Sequence, residues 1–528
     1  MRDFQIPGRS PVLAQNGAAA TSHPLASSTA LRVLEQGGNA VDAAIAASAV
    51  LCVVEPHMTG LGGDCFAIVT EPNGALHGYN GSGRAAKGAT LDYFLDQGIG
   101  EISEDSIHAV TVPGAVKAWE TILENHGSWG LDRVLSYAID YAEEGYGVAP
   151  RVATDWESLT EDLSKDEGAA KHYLMDGKAP DCGSLHQAPA LARSLRKIAE
   201  KGSDAFYKGE IGEEIVSLVQ SYGGLLSEDD LIGVSCDAIK PVFASYRGVK
   251  VAELPPNGQG IAALTLLKIL EQFDLKSMAP HGAERHHVQL EAGRLAYAMR
   301  DAHIADPDHM KIAVETLISE SFASQLASSI NLERRNDTLP SMVPSQSDTI
   351  YLSVADRDGR AVSFINSVYR GFGARRCTLK SGIMLQNRGS CFVIEPGHAN
   401  CIDGGKRPLH TIIPAMAFKD GKPWLSFGVM GGAYQAQGHA QVLTNMLDYG
   451  MDVQEALDAP RLFWNDAGEV IAERSLSDGV FDMLSSKGHK MKWASMPHGG
   501  GQIIEFDRKR GLYWAASDFR KDGQAVGY

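Results

Sequence analysis

Cysteine is scarce. Seven residues (Cys52, Cys65, Cys182, Cys236, Cys377, Cys391, Cys401) are scattered over 528 positions, odd in number and without a Cys-x-x-Cys pair. That spacing excludes a disulfide framework and a zinc site of the usual kind. Excess positive charge is also missing: 48 Lys and Arg face 65 Asp and Glu, for a net charge of −17. A field of that sign argues against nucleic acid or an anionic membrane surface as partner. No apolar run is long enough to span a bilayer; Ala40 to Val54 is broken by Asp42 and stops at Glu55-Pro56. Met1 to Gln15 carries Arg2, Asp3 and Pro7 and lacks the apolar core of a secretory signal, so the expected compartment is the cytoplasm. Internal repeats and low-complexity tracts are absent. No Gly-Lys-Ser/Thr follows a glycine-rich turn, which removes the P-loop, and no dinucleotide fingerprint runs from strand to helix. His286 and His287 are adjacent and point to different faces of one helix, a poor metal pair. Neither a metal nor a cofactor is expected.

What remains is an ordinary globular composition, 44% hydrophobic and 21% charged, with material for a large core. Leu25 to Gln36 reads as a helix closed by Gly37-Gly38. Asn39 caps a second helix, Ala40 to Val54, with Asp42 in a capping-box position; being small and apolar all round, it is expected to be buried. Glu55-Pro56-His57-Met58-Thr59-Gly60-Leu61-Gly62-Gly63-Asp64 is a glycine-rich turn into a strand, Cys65 to Thr70. By itself it is a tight structural turn. Asn80-Gly81-Ser82-Gly83-Arg84 follows another strand, and Val112-Pro113-Gly114-Ala115 opens a helix through Trp119 to His126. Leu131 to Asp230 reads as helices with polar faces and no chemistry. Leu254-Pro255-Pro256-Asn257-Gly258-Gln259-Gly260 precedes a buried helix, Ile261 to Phe273, and a long helix covers Glu284 to Ile304. Arg335 to Gln346 is polar, carries Pro340 and Pro344, and reads as flexible.

One hairpin organises the chain. Asp348 to Asp356 and Ala361 to Ser367 are joined by a turn through Asp358-Gly359, which is good reversal chemistry. Ile350, Leu352 and Val354 share one face; Thr349, Tyr351 and Ser353 share the other. Periodicity alone makes this a buried hairpin. Further on, Gly382 to Phe392 reads as strand and turn, Ile412 to Phe418 and Trp424 to Met430 as strands. Gly431-Gly432 then leads into a helix from about Gln435 to Tyr449. Glycines leave backbone N–H groups bare, and a helix N-terminus favours negative charge. A plain tight turn and an oxyanion hole both fit that order.

The hairpin resembles the autoprocessing site of the γ-glutamyltransferase family of N-terminal nucleophile hydrolases. The resemblance holds in register from Thr349 through Asp358-Gly359 to Phe372-Gly373. Gly37 to Phe66, Val112-Pro113-Gly114-Ala115, Asn257-Gly258-Gln259-Gly260, Gly431-Gly432 and the final Ala516-Ser517-Asp518-Phe519-Arg520 through Tyr528 are similar to it too. It covers Ala18 to Tyr528. It implies an α+β fold, the four-layer αββα sandwich of those hydrolases. It implies that Thr349 cuts the chain before itself, giving a large subunit, 1–348, and a small subunit, 349–528, which together make one domain. Thr349 would be the nucleophile, and Ser367, eighteen residues on, would replace the threonine that hydrogen-bonds it. Gly431 and Gly432 would form the oxyanion hole. The partners implied are a small-molecule amide substrate and the two subunits of one precursor, with a dimer of heterodimers among the arrangements it allows.

The departures from the family pattern fall in the acyl pocket. Cys391 stands where the glutathione-cleaving members hold the substrate ammonium with an acid, and Arg388 where they carry glutamine. Tyr369 replaces an asparagine, and His410 and Thr411 a serine pair that helps hold the carboxylate. The carboxylate-gripping arginine matches Ser82, with Arg84 two residues later; for Arg84 a substrate carboxylate and a surface salt bridge both stay open. Losing an anion and gaining a cation favours a substrate carboxylate over an α-ammonium. The expected reaction is hydrolysis or transfer of a γ-glutamyl-type or dicarboxylic-monoamide acyl group. The rival from another class is an uncleaved, non-catalytic member that binds a small carboxylic acid.

Overall fold

The computed structural model describes residues 5, 8–339 and 348–528. Two seven-stranded sheets form the centre, antiparallel at every pairing. The first runs, edge to edge, through Gln524–Gly527, Ala18–Thr21, Asp348–Ala355, Ala361–Tyr369, Asp64–Thr70, Leu76–Gly81 and Asp237–Ile239. The second runs through Val12–Ala14, Leu512–Ser517, Gly500–Asp507, Lys422–Met430, Ala415–Lys419, Val249–Glu253 and Val242–Tyr246. Each sheet draws strands from both sides of the Asp348–Thr349 bond.

Helices cover the outer faces. Pro24–Glu35, Ala40–Val54 and Ala115–His126 share one apolar cluster with the first sheet. Gly260–Leu270, Ala283–His303 and Tyr434–Leu447 share another with the second. The Ala40–Val54 helix is buried along its whole length, as its lack of a polar stripe demands. Its N-terminus carries the expected capping box, Asn39 with Asp42. The chain therefore has the αββα layering of the N-terminal nucleophile hydrolases.

The expected hairpin is present, Asp348–Ala355 with Ala361–Tyr369. Its aliphatic face, Ile350, Leu352 and Val354, joins the helical cluster. Its other face is turned to the second sheet, not to water. Ser353 Oγ donates to Ser426 Oγ at 2.6 Å, Tyr351 packs on Gly428, and the Tyr351 hydroxyl meets Ser363 Oγ at 2.8 Å. The second sheet descends by two as the first ascends by two, so the Asp348 end of the hairpin runs toward the Met430 end of Lys422–Met430, just before Gly431-Gly432.

Other expectations shift. Gly382 to Phe392 is not a strand. It makes isolated bridges (Gly62 to Leu385, Cys377 to Met384) and a 3-10 turn, Arg388–Cys391, because its backbone groups are spent mostly on the nearby loop from Val368 to Thr378, with one bond to Gly62, instead of on a sheet edge. The strand expected over Ile412 to Phe418 is Ala415–Lys419. The flexible reading of Arg335 to Gln346 lies in part outside the described residues. Among the described residues no helix is long and apolar enough to cross a membrane.

The inter-sheet contact yields a stability test. A Cβ at Gly428 would stand inside the Tyr351 ring. Gly428→Val is expected to destabilise the fold by about 1–3 kcal/mol through overpacking, read as a lower urea midpoint; an unchanged midpoint would contradict the packing.

Candidate active site

Thr349 is fully buried. Its Oγ1 lies 3.1 Å from Ser367 Oγ. The register of the hairpin slips here: Asp348 faces Tyr369, yet Ile350 faces Asn366, so Ser367 and Val368 together oppose Thr349. This bulge re-aims the strand end. It finishes at Tyr369, whose φ is +80°, a conformation a bulky side chain avoids. The twist turns the Tyr369 N–H back onto Ser367 Oγ at 2.9 Å. Ser367 Oγ thus accepts from Tyr369 N and also shares a hydrogen bond with Thr349 Oγ1, in which either hydroxyl can donate. Backbone strain is spent on orienting one hydroxyl.

The glycine-rich turn holds this strand end in place. A Cβ on Gly63 would collide with the Ser367 carbonyl, and one on Gly62 with the Met384 carbonyl. The turn is thus a point of close backbone approach as well as a change of direction. Its last residue, Asp64, pairs directly with Ser367 across the sheet. The Asp64 carboxylate is buried and receives four donors: Gly83 N at 2.9 Å, Gly114 N at 3.2 Å, Gln386 Nε2 at 2.8 Å and His410 Nε2 at 3.0 Å. Sequence reasoning missed this centre; an acid closing a glycine turn before an all-apolar strand was the available signal.

Gly431 has φ +120° and Gly432 φ +58°. Both are glycine conformations, and a Cβ on Gly431 would lie 2.9 Å from Gly499 Cα. Their carbonyls are tied down, Gly431 O by Tyr434 N at 3.1 Å and Gly432 O by Gln259 Nε2 at 2.9 Å. Among the described residues no protein acceptor takes either amide hydrogen. Gln259 Nε2 also bonds Thr411 O at 2.7 Å, and its Oε1 accepts from Arg300 Nη1 at 2.8 Å. One amide side chain therefore locks the glycine pair to the Thr411 loop. This loop had been read as lying ahead of a helix; Asn257 and Gln259 inside it do the positioning.

Arg388, Tyr369, Thr411 and Cys391 come together. The Arg388 guanidinium lies 4.0 Å from the Tyr369 ring centroid; its Nη1 donates to Thr411 Oγ1 at 2.8 Å and sits 3.9 Å from Cys391 Sγ. Arg388 is fully buried, and among the described residues its Nε and Nη2 have no hydrogen-bond partner. Burial pushes the Tyr369 phenol well above its ordinary value. His410 is close by but occupied: Nε2 serves Asp64, Nδ1 accepts from Ile412 N, and the ring packs on Phe66. Burial, then the Arg388 charge, lowers its pKa to about 4, so it is neutral and a prop for Asp64. Arg84 turns to Gly405 O at 3.0 Å and Asp306 at 3.5 Å with its guanidinium 41% exposed, the salt-bridge reading of the two left open above. A groove of about 360 Å³ opens beside Gly431, lined in part by Arg151, Asp155, Arg370 and Lys521. Arg151 and Asp155 belong to the stretch read as having no chemistry.

Four buried histidines are held neutral, chiefly by desolvation: His23, His186 and His410 at about 4, and His489 at about 3. The unfolded chain takes up those protons near 6.5, the native one does not. Between 6.5 and about 4 the unfolded state binds more protons, so stability falls as pH falls. Urea midpoints measured across that window are expected to drop steadily toward acid; a flat profile would contradict the burial of these rings.

Comparison with known proteins agrees with this geometry. The family model described as gamma-glutamyltranspeptidase matches residues 26–528. A glutathione hydrolase-like proenzyme of Bacillus subtilis (strain 168) is 39% identical over 96% of this chain and 97% of its own length. An oxamate amidohydrolase proenzyme of Klebsiella pneumoniae is 33% identical over 97% of this chain and 98% of its own. The crystal structure of a cephalosporin acylase from Bacillus halodurans superposes with a TM-score of 0.93 at 37% identity, covering 100% of this chain and 99% of that one. With a match this long and a core this similar, the chain belongs to the gamma-glutamyltranspeptidase family and is an amide hydrolase of the N-terminal nucleophile fold.

Proposed function

We propose that this hydrolase releases acyl groups that carry a distal carboxylate and no α-ammonium, as in a dicarboxylic monoamide, with Thr349 as nucleophile. The observation that carries the donor class is Arg388. Among the described residues it has no ion-pair partner, although it is fully buried with two nitrogen positions unpartnered. A buried cation in that state is costly until an anion arrives. Thr411 Oγ1 and the Tyr369 ring fix the guanidinium, so a bound carboxylate meets a preset fork. Cys391 at the same place supplies no anion for an ammonium. The oxamate amidohydrolase and acylase relatives point the same way, and the glutathione hydrolases supply the conventional γ-glutamyl reading.

The chemistry runs in two stages. First, Thr349 Oγ1 attacks the Asp348 carbonyl, the acyl group shifts from nitrogen to oxygen, and water cleaves the ester. Asp348 becomes a free carboxylate and Thr349 gains a free α-amino group. That amine has an ordinary pKa of about 7.7–8.0, suited to accept the hydroxyl proton as general base. In the second stage Thr349 takes the acyl group of the substrate. The developing oxyanion is stabilised by the amides of Gly431 and Gly432, which need no reorganisation to do so. The departing amine receives the proton, and water or another amine then resolves the ester. Ser367 holds the Thr349 oxygen throughout.

Denaturing mass spectrometry is expected to give two fragments, the smaller starting at Thr349, and one intact chain for Thr349→Ala. An intact wild-type chain that still binds carboxylic acids would instead favour the non-catalytic reading. For donor choice, glutaryl anilide is expected to exceed γ-glutamyl anilide in kcat/KM by at least about tenfold, the worth of one charge-assisted contact, with the ratio lost in Arg388→Met. Equal or better use of the γ-glutamyl compound would sink the charge argument.

A further inference from the structure

We infer that the groove beside Gly431 is the binding site of the departing amine, and that it selects amines bearing a carboxylate, with Lys521 as the anchor. The inference rests on the reading of Thr349 and Gly431 just given and adds the other half of the substrate.

Position is the first argument. Gly431 and Met430 form part of the groove wall, whereas Arg388, Thr411 and His410 do not. The groove and the Arg388 cluster thus share none of these residues, while both adjoin the glycine pair, the cluster through Gln259, which bonds Thr411 O and Gly432 O. An amide whose carbonyl oxygen sits on the Gly431 amide, with its acyl tail toward Arg388, sends its nitrogen substituent into the groove. At about 360 Å³ the space suits an amino acid or a substituted aromatic amine.

Charge is the second argument. The lining holds four cations, Arg151, Arg370, Arg375 and Lys521, against two carboxylates, Glu104 and Asp155. Asp155 is already claimed: Arg151 Nε reaches both its oxygens at 2.8 Å, and His57 Nε2 lies 3.4 Å away. Burial opposes ionisation of Asp155, but Lys521 first, then His57 and Arg151, hold its carboxyl far below the usual range.

Lys521 is the third. Its side chain is only 4% exposed. An ammonium has three donors, and the contacts made here are long: Asp155 Oδ2 at 3.4 Å and the weak acceptor Met58 Sδ at 3.7 Å. A lysine this buried and this poorly satisfied, on the wall of a groove, is arranged for an incoming anion. Arg370 and Arg375 are spent differently. Arg370 pairs with Glu104 and Arg375 with Asp105, so they add field more than a free fork. The preferred substrate is then an amide with a carboxylate at each end, one read by Arg388 and one by Lys521. When the C–N bond breaks, the amine takes the proton carried by the Thr349 amino group and leaves through the groove as an amino acid.

The test varies only the amine of a glutaryl amide: aniline, para-aminobenzoate and para-aminobenzamide. The wild-type enzyme is expected to favour the para-aminobenzoate amide over both others by at least about tenfold in kcat/KM, mainly through KM. Lys521→Met is expected to erase that ratio and Lys521→Arg to keep most of it. Turnover of all three amides with no carboxylate preference, or a preference equal in wild type and Lys521→Met, overturns the inference and leaves the proposed function standing. Binding of the free amines to wild-type protein by calorimetry gives the independent arm. Tighter binding of para-aminobenzoate than para-aminobenzamide, lost in Lys521→Met, supports the site even if no amide is turned over. Equal binding overturns it.

Discussion

The site depends on one buried carboxylate. Asp64 stands cross-strand from Ser367 and collects donors from four separate segments: Gly83, Gly114, Gln386 and His410. A buried charge is tolerated only when its lone pairs are filled. Here the filling is what brings the loops together. Gln386 carries the turn that contains Arg388, and His410 carries the loop that contains Thr411. Both are drawn to the strand beside that of Ser367, which in turn pairs with the strand of Thr349, and Gln259 then ties the Thr411 loop to Gly432. The Thr349 strand, the Arg388 cluster and the glycine pair are thereby linked, the preorganisation that the proposed electrostatic catalysis needs.

The charge distribution runs against the chain's overall sign. A protein of net charge −17 keeps a fully buried, unpaired guanidinium at Arg388 and a cation-rich groove at Lys521. The interior cations sit where water is excluded, so their fields are little screened. The proposed substrate with two carboxylates would be repelled by the surface at long range and held by the pockets at short range. Such a balance favours specificity over capture rate.

Much of the fold was legible before any coordinates. The capping box at Asn39 and Asp42, the buried Ala40–Val54 helix, the hairpin around Asp358-Gly359 and the strand leading to Gly431 are local patterns, each set by propensity, periodicity or turn chemistry. The segment around Arg388 misled, because its backbone bonds go to loop residues between Val368 and Thr378, to its own turn and, once, to Gly62, rather than to a sheet edge, and periodicity is blind to such partners. Arg84 and His410 show what residue type leaves open. Their residue types suit a carboxylate, but Arg84 spends its donors on Gly405 and Asp306, and His410 serves Asp64.

The sequence by itself determined most of the secondary elements, since these are properties of neighbours along the chain; the candidate nucleophile and the altered pocket residues came from the family resemblance. Only the tertiary structure decided which polar groups are spent and which remain available. It turned Tyr369 into an outlier that orients Ser367, made Asp64 a centre, left Arg388 and Lys521 short of partners, and placed Arg151 and Asp155 at the groove. Hydrogen-bond satisfaction is a property of the whole packed molecule, and no local pattern encodes it.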